Sequence, residues 1–220
     1  MGFFDFLKGP DKGLKIKDID GVRTLVGYRP SADVRGTLLI PDTVQSIAED
    51  ALSQTNNITK IVIPDSVRSI GEHAFAFSQS LEEIVLPAGI ENLSESVGLL
   101  TGCPKLKKVT LPEDMKEIPT GFMSSCYELE EIVIPYGVES IAIGAFDSCE
   151  KLRYVRLPAT LKTIETMAFD GCTALESIEL PEGLESIEYA AFADCPALVR
   201  PHIPEGCEVD EEAFEVLDDE

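Results

Sequence analysis

Residues 135–158 read PYGVESIAIGAFDSCEKLRYVRLP, and this stretch begins and ends on a proline that recurs along the whole chain. The prolines are Pro41, Pro64, Pro87, Pro112, Pro135, Pro158, Pro181 and Pro204, separated by 23, 23, 25, 23, 23, 23 and 23 residues. Self-similarity at a fixed period of this size is the signature of stacked repeats. Within the unit, apolar or small residues fall at Val138, Ile141, Ala145, Phe146, Cys149, Leu152, Val155 and Leu157. The segment before each proline has the form L-x-x-I-x-I-P, as in LEEIVLP from Leu81 and LESIELP from Leu175. Its I-x-I half alternates with period two, which predicts a short strand with one face inward. Proline then ends the strand because it has no amide hydrogen to donate to a ladder. Around Ala145-Phe146 the alternation stops, and a short helical or 3-10 turn is expected there.

A single unit buries too little apolar surface to offset the entropy of ordering its backbone. Stacking supplies the missing burial and pairs strand backbones between neighbouring coils. Eight coils at a strand spacing of about 4.8 Å would make a rod roughly 40 Å long.

The motif I-x-I-P-x-x-V-x-x-I-x-x-x-A-F-x-x-C-x-x-L resembles the 23-residue BspA-like class of leucine-rich repeats. With swaps among Ile, Leu and Val and between Cys and Ser, it is carried by Ile61 to Leu81, Ile132 to Leu152, Val155 to Leu175 and Ile178 to Leu198. The resemblance implies a β-rich α/β solenoid, a right-handed leucine-rich-repeat superhelix of about eight coils over residues 36–214. It also implies protein or surface binding, and many members are secreted or surface-attached adhesion proteins.

Two coils depart from the pattern. Coil three, PAGIENLSESVGLLTGC, carries two extra residues and has Leu99-Leu100 in place of Ala-Phe, so Asn92 to Gly98 are expected to bulge outward. Coil four fills its slots differently, with Ile118-Pro119 and Phe122-Met123. One compensated packing defect is the favoured reading over a recognition loop. Upstream, LKIKDIDGVRTLVGY from Leu14 places Asp20-Gly21 between two alternating runs, a hairpin signal. Residues 14–35 are therefore read as a hairpin cap on the first coil, where Arg35 stands in a slot that later coils give to Leu. Residues 1–13 form an aromatic-rich segment and 215–220 an acidic tail.

Acidic residues number 40 and basic residues 18, a net charge of −22. Residues 1–40 hold 7 basic and 5 acidic side chains, so the remainder holds 11 basic and 35 acidic, a net of −24. Such a field repels nucleic acid and anionic lipid. From Glu205 to Glu220 there are nine acidic residues and no basic one, read as a solvated tail or end cap ahead of a docking strip for a basic partner. No run of 18 apolar residues occurs. MGFFDFLKGPDKG has no basic n-region and lacks the Ser or Thr of a myristoylation signal at its sixth position, so the expectation is a cytoplasmic chain. Membrane contact is expected at most through Phe3, Phe4, Phe6 and Leu7, for which folding back on the first coil is the favoured alternative.

Five of six cysteines occupy one repeat slot: Cys103, Cys126, Cys149, Cys172 and Cys195, with Thr55 and Ser78 in the same slot earlier. That slot asks for a small, weakly polar, buried side chain, and parallel side chains on adjacent coils do not point at one another. Reduced structural thiols are expected ahead of disulfides or a metal site. Cys207 aligns with Val138 and reads as core. The two histidines, His73 and His202, have no metal-ligand spacing, and no glycine-rich phosphate loop occurs. Neither catalysis nor a cofactor is expected.

What remains is the exposed strand face. One outward column reads Lys60, Glu83, Lys108, Glu131, Tyr154, Ser177, Arg200, and another Val62, Val85, Thr110, Val133, Arg156, Glu179, His202. Alternating charge in the first column reads as a register device. It stops at Tyr154, and Tyr154, Arg156, Glu179, Arg200 and His202 are the candidate partner-binding residues, since aromatic residues and Arg are enriched at binding hot spots. The leading expectation is a non-catalytic protein-interaction scaffold with a partner of unknown identity. A cell-surface adhesion module is the alternative, and a metal-binding or enzymatic protein a remote one.

Overall fold

The computed structural model describes residues 13–29, 35–91 and 93–216. The side chains Phe3, Phe4, Phe6 and Leu7 and the tail residues 217–220 lie outside the described residues. The described residues open with a hairpin, β1 (Leu14–Ile19) and β2 (Val22–Tyr28), closed at Asp20-Gly21, both at positive φ. Each later coil then contributes short strands to one or both of two parallel ladders. The first ladder holds β3 (Gly36–Leu39), β5 (Ile58–Val62), β7 (Glu83–Val85) and β8 (Lys108–Thr110), and separately β10 (Glu131–Val133) with β12 (Tyr154–Arg156). The second ladder runs β1-β2-β4 (Ser46–Ile47)-β6 (Ser69–Ile70) and, after a break, β9 (Glu117–Ile118), β11 (Ser140–Ile141), β13 (Thr163–Ile164), β14 (Ser186–Ile187) and β15 (Glu208–Val209). The result is a β-solenoid of about eight turns.

Partners within a ladder sit one repeat apart, as in Ile61 with Ile84 and Ile141 with Ile164. The period of the sequence is thus the register of the sheet. Strands end ahead of Pro41, Pro64, Pro87, Pro112, Pro135 and Pro158, and repeat prolines accept on their carbonyls the amide three residues on, as from Val138 to Pro135 and Leu161 to Pro158. Hairpin strand β2 pairs in parallel with β4 through Thr24–Ser46 and Leu25–Ile47, so the hairpin extends the second ladder by two strands.

The expected helical turn around Ala145-Phe146 is absent: that side of each coil is a run of β-turns. In coil five the amides of Gly144, Phe146 and Ser148 donate to Thr166, Ala168 and Asp170 of the next coil at 3.0, 2.8 and 2.7 Å. The intervening amides of Ala145, Asp147 and Cys149 donate three residues back. Half of the donors an α-helix would use internally are committed to the neighbouring coil. Gly144 and Ser148 also stand at φ 58° and 56°, in the left-handed region that a right-handed helix excludes. The same pair of positions is left-handed at Met167 and Gly171 and at Ala190 and Asp194. The one 3-10 turn among the described residues is Leu93–Glu95 in coil three.

The core is a continuous column of the repeat's apolar slots. Phe146, Phe169, Phe192 and Phe214 stack face to face at 5.1, 5.3 and 5.1 Å between ring centroids, with interplanar angles of 5°, 4° and 9°. In coil four Phe122 takes the Ala position and Met123 the Phe position, and both are fully buried. Leu99 and Leu100 fill the same pair in coil three.

Candidate interaction surface

Coil three is the place where the two ladders fail together. Its segment Leu93–Glu95 forms a 3-10 turn where other coils supply a second-ladder strand, so β6 and β9 are not paired. On the opposite side its strand β8 pairs backward with β7 but not forward with β10. Nearly all Cα pairs between β8 and β10 lie more than 8 Å apart. Coils three and four remain joined on the turn side, where Gly98, Leu100 and Gly102 donate to Thr120, Phe122 and Ser124 at 2.8–2.9 Å. The first ladder stops a second time after β12, since residues 177–179 form no strand. Strands β10 and β12 thus stand as an isolated pair.

Two adjoining grooves cross that pair, one reaching back to coil three and the other forward to residues 177–181. The larger, about 930 Å³, runs over three coils, lined by Lys107–Leu111, Glu131–Tyr136 and 156–159. The second, about 630 Å³, is lined by Glu131–Val133, Tyr154–Leu157 and Ser177–Pro181. Both share Val133 and Arg156. Val133, Tyr136 and Tyr154 are 60%, 77% and 69% exposed, a concentration of large solvated side chains around two openings.

Of the sequence candidates, Tyr154, Arg156 and Glu179 line the second groove together. Arg200 and His202 are exposed one coil further along and line neither groove. The Arg200 guanidinium instead lies 4.8 Å above the Phe214 ring, closing the end of the aromatic stack by a cation–π contact. Tyr136 was not among the candidates. A signal for it exists, because the residue after the repeat proline is Asp, Ala or Glu in every other coil. The alternating charges act where strands are paired: Glu83 lies 3.0 Å from Lys60 and 3.8 Å from Lys108, and these lysines hold its carboxyl below the usual carboxylate range. Glu131, across the break, belongs to none of the four ion pairs among the described residues.

The cysteine slot is a hydrogen-bonding device. Cys103, Cys126, Cys149, Cys172 and Cys195 are free, buried thiols that donate to the carbonyls of Phe75, Leu100, Met123, Phe146 and Phe169 of the preceding coil at 3.1–3.4 Å. Ser78 makes the equivalent bond to Leu52. Cys207 is only half-buried. No group of three or more His, Cys, Asp or Glu among the described residues is arranged to hold a metal ion, and no helix among them is long and apolar enough to cross a membrane.

Parallel ladders one repeat apart, an aromatic column and a solvated strand face define a leucine-rich-repeat solenoid. The chain belongs to the BspA-type leucine-rich-repeat family, whose model matches residues 36–152 and 96–218 in six copies. Solved structures agree. A leucine-rich repeat protein from Bacteroides ovatus is 30% identical with a TM-score of 0.77 over 92% of this chain and 55% of its own. One from Eubacterium ventriosum is 28% identical with a TM-score of 0.74 over 90% and 53%. The leucine-rich repeat protein of T. pallidum is 25% identical, with a TM-score of 0.73 over 95% of this chain and 99% of its own. The chain spans about half the length of the first two. No curated protein matches its sequence.

Proposed function

We propose that the chain is a non-catalytic protein-interaction scaffold whose partner docks on the strand face at β10 and β12. The observation that carries this reading is the convergence of exposed Val133, Tyr136 and Tyr154 with Arg156 on two adjoining grooves. Tyrosine supplies large contact area at modest entropic cost and arginine a charged donor fork, and both are enriched at binding hot spots. The repeat core supplies rigidity, so little ordering is needed on docking. Affinity capture with the parent and with Tyr154→Ala/Arg156→Ala tests the proposal. Both side chains are exposed, so the variant is expected to melt with the parent while losing the captured partner. Equal recovery by both proteins would sink it.

A further inference from the structure

We infer that the break between β8 and β10 is a slot for an extended peptide segment of the partner, which adds a strand to the first ladder. This rests on the proposed scaffold function and names the chemistry of its partner.

Every backbone amide and carbonyl in a buried strand needs a partner. In the first ladder β3, β5, β7 and β8 supply one another's, and β10 and β12 do the same. The facing edges of β8 and β10 are parallel members of one repeat register, yet no ladder joins them, and both line a groove of about 930 Å³ that continues over the following coil. Two open edges of the same direction present donors and acceptors on both walls. A helix satisfies its own backbone and could not use them; an extended chain uses both sets at once.

The interior supplies the side-chain half of the argument. The inward residues Ile61, Ile84 and Ile132 are buried, whereas Val109 of β8 and Val155 of β12, on the two strands with no partner on their forward edge, are only half-buried. The next inward side chain after Val109, Ile132 of β10, lies across the break. Toward solvent the walls carry Lys108, Thr110, Glu131 and Val133. The complementary segment therefore alternates, with Ile, Leu or Val inward and polar residues outward, which is the pattern of the repeat's own strands.

The probe follows from that pattern: a fluorophore-labelled synthetic peptide LEEIVIP, the sequence of residues 129–135. Its control is the same peptide N-methylated at the positions of Ile132 and Val133. Adjacent residues of a strand donate to opposite walls, so the control loses a bond on each side while keeping charge and side chains. Fluorescence anisotropy with the full chain is expected to show saturable one-to-one binding, weakened at least tenfold in the control. No binding, or equal binding of the two peptides, overturns the proposal.

A second measurement concerns the walls. A disulfide needs Cα atoms within about 7 Å, so Lys108→Cys/Glu131→Cys in a Cys207→Val background is expected to resist mild oxidation. Rapid disulfide formation would show that the walls close in the free protein and would also overturn the slot. Partner capture that depends on Tyr154 and Arg156, together with equal binding of the two peptides, would leave the scaffold reading standing and remove only strand addition.

Discussion

The Cys172 thiol donates to the backbone carbonyl of Phe146, 26 residues earlier and one coil away, at 3.3 Å. The contact spans adjacent coils at the point where the aromatic column packs, so the side chain fills space and adds a second donor to a carbonyl that already accepts the Cys149 amide. Cys172→Ala leaves the carbonyl with the Cys149 amide alone, at 3.2 Å, beside a small cavity, and the expected cost is about 1 kcal/mol in urea unfolding. Cys172→Ser keeps a donor, as Ser78 does toward Leu52 in coil two, and is expected to cost less than the alanine variant. Equal losses would show that volume alone governs the slot.

The same burial sets thiol chemistry. Desolvation pushes the Cys103, Cys149 and Cys195 thiols up to about 12, and holds Cys126 and Cys172 well above the ordinary range. Thiolate is the reactive form, and these five groups are also shielded by the coils. A native titration with an aromatic disulfide reagent at pH 8 is expected to register one fast thiol, Cys207, and the other five only on unfolding. Six fast thiols would contradict the packing.

The residues explain why some of this was readable in advance. The cysteine slot was legible because five copies at one spacing, with Thr55 and Ser78 as substitutes, describe an environment. The strands were legible because Ile-x-Ile alternation and ladder register are the same period. The turn side was not: the amide of Phe146 is satisfied by Ala168, 22 residues on, and nothing local in Ala145-Phe146 distinguishes that bond from a helical one. The break between β8 and β10 was equally hidden, since Lys108 and Glu131 keep the ordinary spacing of 23 and only the separation of the strands reveals it. Arg200 was legible as an exposed cation but not as the lid of the Phe214 ring, because Phe214 lies past Pro204, in the next coil.

Close approach between coils has its own test at Gly71. A Cβ there would lie 2.3 Å from the backbone nitrogen of Glu49 in the preceding coil. No rotamer change relieves a clash with backbone, so accommodation requires the coils to separate. Gly71→Ala is expected to destabilise by roughly 2 kcal/mol or more, in the range of overpacked cores. Ala48 and Ala142 occupy the same repeat position, so Ala142→Gly provides the comparison and should cost only the loss of a methyl group and backbone entropy, about 1 kcal/mol. A neutral Gly71→Ala would mean that the coil spacing is softer than the ladder indicates.

The carboxyl of Asp170 gives a pH-dependent prediction. Its Oδ1 is buried without a hydrogen-bond partner, and desolvation, reinforced by the charges of Asp147 and Asp194, raises it from 3.8 to about 6. Asp147 below it is provided for, accepting bonds from the hydroxyls of Ser124 at 3.0 Å and Ser148 at 2.8 Å. A raised carboxyl means that the folded chain binds the proton more tightly than the unfolded one. Its effect on stability is therefore absent below the unfolded value near 3.8, and stability falls as pH rises from there through about 6. At neutral pH the ionised group is a liability, and Asp170→Asn removes it. Because the residue is partly solvated, the gain is expected on the order of 1 kcal/mol at pH 7–8 and to shrink toward zero at pH 4. Urea unfolding of parent and variant at the two pH values measures the difference. A gain of the same size at pH 4 would assign the effect to packing and not to charge.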